Sequence, residues 1–280
     1  MLFRSGVKSK YYSFNRNVST DFNNGKTFNQ LGIIALNINY NDLINQVYVQ
    51  TVFKQRFLIS AGAEYRHINT KSETLQNNGQ IIENTDYYSL FGNLKFDSLD
   101  NKYFPTKGFY FCGDFQSYIN SADIAFKLNP FSVVRGDAVF ATTFYKKVTV
   151  KLQSEVGFTV GNREIPFLNF VFGGYGFSGA NNFKPFYGYD FVSIGANSFV
   201  KGTGTLDYEF YKKNHLNFSA NYANIANNLF RNYDKISVPR FSGYAIGYGL
   251  ETIIGPVELK YSWSPETARN YIWFNVGFWF

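Results

Sequence analysis

Apolar and polar residues alternate with a period of two along most of this chain. In 87–96, Tyr88, Leu90, Gly92, Leu94 and Phe96 share one face, while Ser89, Asn93 and Lys95 take the other. In 148–160, Val148, Val150, Leu152, Val156, Phe158 and Val160 oppose Thr149, Lys151, Gln153, Glu155 and Thr159. In 216–222, Leu216, Phe218, Ala220 and Tyr222 oppose Asn217, Ser219 and Asn221, and 256–263 sets Val257, Leu259, Tyr261 and Trp263 against Glu258, Lys260 and Ser262. A strand points successive side chains to opposite faces, so each segment predicts a strand with one apolar and one polar side. The last residues, 271–280, put Ile272, Phe274, Val276, Phe278 and Phe280 in a single apolar row. In water such a row is an aggregation hazard, so it needs either a core partner or a solvent other than water.

The spacing predicts about fourteen strands, near 2–14, 27–40, 43–55, 57–70, 86–97, 108–119, 131–145, 148–160, 165–176, 198–211, 215–225, 243–254, 256–264 and 271–280. Tight connections are expected at 40–43, 145–148, 211–215 and 253–257, and long ones at 69–86, 120–130, 177–197 and 226–242. Segments of this length suit tilted strands crossing a bilayer, and alternating short turns and long loops suit a barrel. The polar rows hold more Asn, Gln, Ser, Thr and charge than the dry core of a sandwich could satisfy. The fold class expected is all-β: an antiparallel transmembrane β-barrel, lipid against its apolar rows, with the last strand closing onto the first.

Composition narrows the alternatives. The 280 residues are 45% hydrophobic and 20% aromatic but only 17% charged, yet no apolar run approaches the length of a membrane helix; 31–36 is typical of the longest. Cys112 is the single cysteine, which excludes an internal disulfide framework and a thiolate metal cage. The net charge of +7 is dispersed, without the basic stripe that nucleic acid would require, and suits anionic lipid head groups instead. No linker divides the chain, so residues 1–280 are expected to form a single barrel domain. No cofactor or metal is implied.

Three stretches carry a resemblance. Residues 98–111 resemble the D-N…F-P-T-x-G hairpin of the BamA-like outer-membrane insertase and bacterial surface antigen superfamily, on Asp100, Asn101, Phe104, Pro105 and Gly108. Residues 170–191 resemble that family's GG…R-G-[FY] segment, with Gly173, Gly174, Pro185, Phe186, Tyr187, Gly188 and Tyr189 in the matching places. Gly277, Phe278 and Phe280 resemble the C-terminal signal of bacterial outer-membrane barrels. The closing hairpin, 253–280, is similar to barrels attached to patatin-like phospholipases.

The resemblance implies a barrel of about sixteen strands in the outer membrane of a Gram-negative bacterium. It also implies an extracellular loop folded into the lumen, and a seam between first and last strands that opens to polypeptide. Its partners would be outer-membrane lipid, the barrel assembly machinery and a polypeptide passenger. On this reading the chain lacks N-terminal strands and periplasmic domains, and any lipid hydrolase activity would belong to an N-terminal domain outside it. The chain departs from the pattern at Tyr187, where the family places an arginine, so an arginine–carboxylate lock is excluded.

Other motifs read as decoys. Arg135 and Asp137, in an RGD sequence, fall on the polar face of a strand and are expected in the lumen. Ser178 lies in G-F-S-G-A, one residue short of a nucleophile elbow, with no helix to follow. His67 and His215 sit on separate strands, unlike a metal site. Asp207, Glu209, Glu251, Glu258 and Lys260 occupy the predicted lumenal rows, where mutual pairing is expected. The runner-up function is a passive porin for small solutes, sensitive to Lys151 and Glu155; a lipid-hydrolysing barrel comes third, because no nucleophile–base pair is legible.

Overall fold

The structure is a computed structural model that describes residues 2–18, 20–21, 26–27, 36–74, 77–122, 128–161, 168–176, 182–231, 236 and 239–277. The first half holds β1 (Leu2–Val18), β2 (Thr20–Asp21), β3 (Lys26–Thr27), β4 (Leu36–Phe53), β5 (Phe57–Thr74), β6 (Asn77–Asp97), β7 (Gly108–Ser121) and β8 (Phe131–Phe144). The second half begins with β9 (Val148–Val160), β10 (Phe170–Phe172), β11 (Phe183–Lys184) and β12 (Ile194–Ala196). It ends with β13 (Ser198–Tyr211), β14 (Asn214–Ala226), β15 (Phe241–Thr252), β16 (Gly255–Ser264) and β17 (Arg269–Val276).

Among the described residues, twelve strands form one sheet in the order β1-β4-β5-β6-β7-β8-β9-β13-β14-β15-β16-β17. Every neighbouring pair is antiparallel. Turns 54–56, 145–147, 212–213 and 253–254 lie at one end with 98–107, and the longer connections lie at the other. Lys54, Gln55, Tyr145, Lys146 and Lys213 adopt left-handed backbone in these turns, a conformation usually left to Gly or Asn.

The faces are inverted relative to a water-soluble protein. Ile246, Leu152, Leu206 and Phe274 stand on the outside at 54%, 54%, 49% and 71% exposure, whereas Glu64, Arg66, Glu155, Lys201, Asn221 and Lys260 are buried inside. Hydrocarbon outside and polar groups inside is the solution for a sheet in a bilayer, where no water is present to satisfy an open backbone.

Four expectations are corrected. Residues 40–43 are not a turn but the middle of β4: Asp42 points inward and pairs with Arg66 of β5 at 2.6 Å, both buried. That ion pair holds the strand through an Asn-Asp sequence that otherwise favours turns, so 36–40 and 43–53 belong to one strand, while 28–35 lie outside the described residues. Residues 69–86 are not a long loop, because β5 and β6 run on as a paired hairpin as far as Thr74 and Asn77. Of the expected strand 165–176, residues 165–167 lie outside the described residues and the described part supplies the short β10, which lies in a separate sheet with β11 and β12. These changes turn fourteen expected segments into the twelve observed. Finally, β17 does not pair with β1 among the described residues; each is an edge of the sheet. Phe278 and Phe280 lie outside the described residues.

The 98–107 connection is organised by two side chains. Asp100 accepts backbone N–H groups of Thr106 (2.9 Å) and Lys107 (3.2 Å) and the Thr106 hydroxyl. Asn101 Oδ1 accepts those of Tyr103 (3.0 Å) and Phe104 (3.5 Å). Gly108 has φ +119°, and a Cβ there would lie 2.4 Å from the Ser98 carbonyl oxygen. The turn thereby tucks Phe104 into the base of the barrel, stacked on His215 with centroids 4.2 Å apart. Burial works to raise the Asp100 pKa, but the hydrogen bonds from Thr106 and Lys107 outweigh it and hold the carboxyl below its ordinary value.

Two outcomes are expected. Lysine at Ile246, halfway along β15, should destabilise the barrel by about 2–4 kcal/mol in lipid vesicles, whereas lysine at Ile253, in a turn, should cost about 0–1 kcal/mol. Urea unfolding measures both, and equal costs would contradict a hydrocarbon-facing outer surface. Because the folded pKa of Asp100 is depressed, its contribution to stability is present above the unfolded value of about 4 and is lost as pH falls through the folded one. Asp100→Asn should therefore lower the melting midpoint at neutral pH, and the difference from wild type should close below roughly pH 4.

Candidate functional site

Between β9 and β13, the described residues 168–176 and 182–197 fold back into the lumen. Its three short strands form a small sheet: β10 pairs parallel with β11 through Val171–Phe183 and antiparallel with β12 through Val171–Gly195. Phe170, Phe172, Phe186, Tyr189, Ile194 and Phe199 pack into an apolar cluster with Tyr40, Ile68, Tyr87, Tyr118 and Phe131 of the wall. The long-loop half of the barrel is thus filled by a core, while the short-turn half keeps a polar interior.

Glycines permit the close approaches. Gly173 has φ +131° and Gly174 φ +73°, and a Cβ at Gly173 would lie 1.8 Å from the Asp190 carbonyl oxygen. Gly174 donates its N–H to Tyr189 O (2.9 Å) and accepts the Phe186 N–H (3.1 Å), closing the segment on itself. Gly188, at φ +76°, lies against β16, where a Cβ would sit 2.3 Å from the Trp263 carbonyl carbon. Its N–H donates to Ser262 Oγ (3.3 Å), and its carbonyl accepts the Thr267 hydroxyl (2.9 Å). The wall cooperates, since a Cβ on Gly243 would lie 1.9 Å from Tyr187 O. Pro185 and Tyr187 face a cavity beneath the segment.

A different lock replaces the excluded arginine. Lys260 of β16 pairs with Glu258 at 3.5 Å. Its ammonium lies 4.4 Å from the Tyr175 ring centroid and 5.6 Å from that of Tyr187. Tyr175 donates its hydroxyl to Glu258 at 2.8 Å, and the two tyrosine rings are 5.6 Å apart. The cation therefore sits on the wall and the segment supplies aromatic faces and a phenol, an arrangement that favours an ammonium held away from water. A second tie joins Lys184 of β11 to Glu155 of β9 at 3.2 Å, beside Lys201 of β13.

The segment also reaches both edge strands. Phe183 meets Phe14 of β1 edge-to-face at 5.3 Å and Tyr40 of β4 at 6.0 Å. Phe191 meets Trp273 of β17 edge-to-face at 5.0 Å. Trp273 in turn donates its indole N–H to Ser262 of β16 at 2.8 Å.

The structure brings Gly173, Gly174, Pro185, Phe186, Tyr187, Gly188 and Tyr189 together in the lumen, and Asp100, Asn101, Phe104, Pro105 and Gly108 at its base. Gly277, at φ +99°, follows β17 and donates its N–H to Pro256 O at 2.9 Å. Arg135 and Asp137 do face inward, but not as a pair: Arg135 donates to Gln116 at 3.0 Å and Asp137 accepts from Gln153 at 3.1 Å. His67 pairs with Asp86 at 2.6 Å near the surface. His215 pairs with Asp207 at 2.7 Å and approaches Glu251 at 3.5 Å inside. Ser178 lies outside the described residues. Tyr175, Phe183, Lys184 and Phe191 were missed from the sequence, where nothing in their spacing distinguishes them from other aromatic and basic loop residues.

Comparison with known proteins agrees with this geometry. BamA from Haemophilus ducreyi, in a structure lacking POTRA domains 1–3, superposes with a TM-score of 0.62 at 12% identity, over 96% of this chain and 57% of that one. CdiB from Acinetobacter baumannii superposes with a TM-score of 0.58 at 9% identity, over 94% of this chain and 44% of that one. The chain thus spans less than two thirds of either structure, and at these identities the likeness is one of fold. No curated protein sequence matches it. The sequence profile of one family, however, matches residues 1–280; with the whole length covered, the chain belongs to the OMP85 superfamily.

Proposed function

We propose that this chain is the barrel of an outer-membrane protein of a Gram-negative bacterium that inserts, translocates or anchors a polypeptide, and that its inward segment governs the seam between the edge strands. One observation carries the reading. β1 and β17 have no backbone pairing among the described residues, yet the same lumenal segment touches both, through Phe183 on Phe14 and Phe191 on Trp273. A barrel whose edges are joined through packed aromatics can open along that line more readily than through a ladder of hydrogen bonds.

Membership of the family and the fold shared with BamA and CdiB support the polypeptide-handling part of the reading. The finer proposal is that residues 1–280 are one domain of a longer protein. Its missing parts would include periplasmic domains and, in the patatin-like version, the lipid hydrolase that this barrel anchors. The barrel assembly machinery and outer-membrane lipid are the proposed partners. A porin is less favoured, because the lumenal segment packs an apolar core into the long-loop half of the interior.

In planar bilayers the wild-type barrel should give closed or erratic conductance, and Phe183→Ala combined with Phe191→Ala should give larger and longer openings. Steady, ohmic conductance in the wild type would overturn the reading in favour of the porin. Gly188→Val should reduce the yield of folded barrel or its activity, because the new side chain meets the β16 backbone. Gly202→Val, where a Cβ meets nothing within 4 Å, should be tolerated; equal tolerance at both positions would contradict the inward docking of 185–189.

A further inference from the structure

Several buried lumenal charges come in pairs: Arg66 with Asp42, Lys184 and Lys201 with Glu155, and Lys260 with Glu258. The edge strand β1 departs from that arrangement. Its register sets Arg4 opposite Gln50, Lys8 opposite Gln46 and Lys10 opposite Ile44 of β4. Directly opposed residues of an antiparallel pair share a face. On β4 that face is the lumenal one, because Ile44 is buried and Gln46 donates to the buried Glu64 at 2.6 Å. Phe3, Val7 and Tyr11 take the opposite, lipid side of β1. Three cations therefore stand in one row on the inner face of β1, and each of them remains accessible.

Among the described residues none of the three has a carboxylate within ion-pair distance. The lumenal carboxylates of the two neighbouring strands are committed elsewhere: Asp42 of β4 to Arg66, and Glu64 of β5 to Gln46 and Gln116. Lys8 instead faces the like charge of Lys10 and the phenols of Tyr12 and Tyr48. Tyr48 lies across the strand at Gly6, where a Cβ would come within 2.8 Å of its hydroxyl oxygen. A phenol ring thus sits between Arg4 and Lys8. The inner row of the other edge strand is neutral, with Tyr271, Trp273 and Asn275 on β17. A run of one charge along a low-dielectric wall focuses its field and draws in groups of the opposite sign.

We propose that this row is a docking strip for an acidic polypeptide segment, laid in extended conformation along the inner face of β1. Side chains two apart on one face of a strand are separated by ~7 Å, and alternate side chains of an extended peptide have the same spacing. Carboxylates at every second position of such a peptide therefore meet Lys8 and Lys10, and one further along meets Arg4. From Arg4 to Lys10 the row is ~20 Å long, more than one small anion spans, and it faces away from lipid. Each contact is a charge-assisted hydrogen bond, and the Tyr12 and Tyr48 phenols add donors beside them. The proposal names a chemical class for the passenger, and in that respect it rests on the polypeptide-handling reading.

The test is fluorescence anisotropy of a labelled ten-residue peptide alternating Glu and Thr, titrated with the detergent-solubilised protein. Salt at about 0.15 M screens attraction beyond ~8 Å, so that only close contacts count. The wild type should bind this peptide saturably and at least tenfold more tightly than a counterpart with Gln in place of Glu. Arg4→Gln, Lys8→Gln and Lys10→Gln combined should keep the melting midpoint, because no carboxylate loses a partner, and should lose at least tenfold in affinity. Lys10→Gln alone should lose at least threefold. Lys146→Gln, Lys147→Gln and Lys212→Gln combined, which removes equal charge from exposed turns, should bind within about twofold of wild type. Equal affinity for the two peptides, unchanged affinity in the β1 variants, or an equal loss in the turn variant would each overturn the strip. Displacement of the peptide by an equal concentration of short-chain phosphatidylglycerol would overturn it too, and give the row to a lipid head group. The two readings fail separately: steady wild-type conductance removes the passenger, whereas these titrations alone decide the strip.

Discussion

A backbone inside hydrocarbon has to find all its hydrogen-bond partners within the protein, because the alternative is several kcal/mol for each open group. That constraint selects a sheet that bends round on itself, and the sheet then dictates the rest. Alternate side chains go to lipid, so Leu152, Leu206, Ile246 and Phe274 are outside; the intervening ones go to the lumen. Whatever lies in that lumen must in turn satisfy itself. Arg66 is bound by Asp42, Glu155 by Lys184 and Lys201, and Glu258 by Lys260 and Tyr175. The ion pairs are therefore a consequence of the inverted surface, and breaking one partner would leave a buried charge that is costly to keep.

The lumen solves its filling problem in two ways along one axis. At the long-loop end it receives the 170–196 segment, whose phenylalanines complete a core with inward-facing Ile38, Tyr40, Ile68, Tyr87, Tyr118 and Phe131. At the short-turn end the walls carry Thr149, Lys151, Thr203, Asn217 and Lys260, and the 98–107 turn brings only Tyr103, Phe104 and Pro105 against them among the described residues. The boundary between the two is the tyrosine pair, Tyr175 and Tyr187, with rings toward the lysine and phenols toward polar neighbours. A tyrosine can stand at such a boundary because its ring is apolar and its hydroxyl is not. An arginine at position 187 would have carried its full charge to this border. Here the wall holds the cation instead, so the charge of the lock has changed sides.

Much of this was legible from period-two alternation, since lipid outside and polar groups inside leave a plain mark on sequences such as 148–160 and 216–222. What alternation could not give was continuity or direction. Asn41-Asp42 reads locally as a turn; distant partners, Arg66 on Asp42 and Tyr11 and Ser13 on Asn41, make it a strand interior. Residues 165–176 have the apolar content of a barrel strand, but Phe170, Val171 and Phe172 are all buried, the pattern of a segment enclosed on both faces rather than one set between lipid and lumen. The glycines of the lumenal segment were visible because a missing Cβ is what close backbone approach requires. Their aromatic and ionic partners were invisible, because Phe183 meets Phe14 and Lys184 meets Glu155 only after the chain has crossed the lumen.

The edge strands are where the governing constraint is least satisfied. Among the described residues, β1 has 17 residues and pairs along its whole length with β4, whereas β17 has 8 and pairs with β16. A direct ladder between them could engage no more than the shorter strand, and the remainder of β1 would keep an open edge in the membrane. Rows so unequal make a complete seam hard to form, and a partial one easy to break. The lumenal segment acts on this weak line from the inside, where lipid does not compete and where Gly188 and Gly243 already fix it to β15 and β16. Aromatic contacts depend on proximity rather than on register. They can hold β1 and β17 near each other without specifying which residues face which, and that freedom is what an opening seam requires.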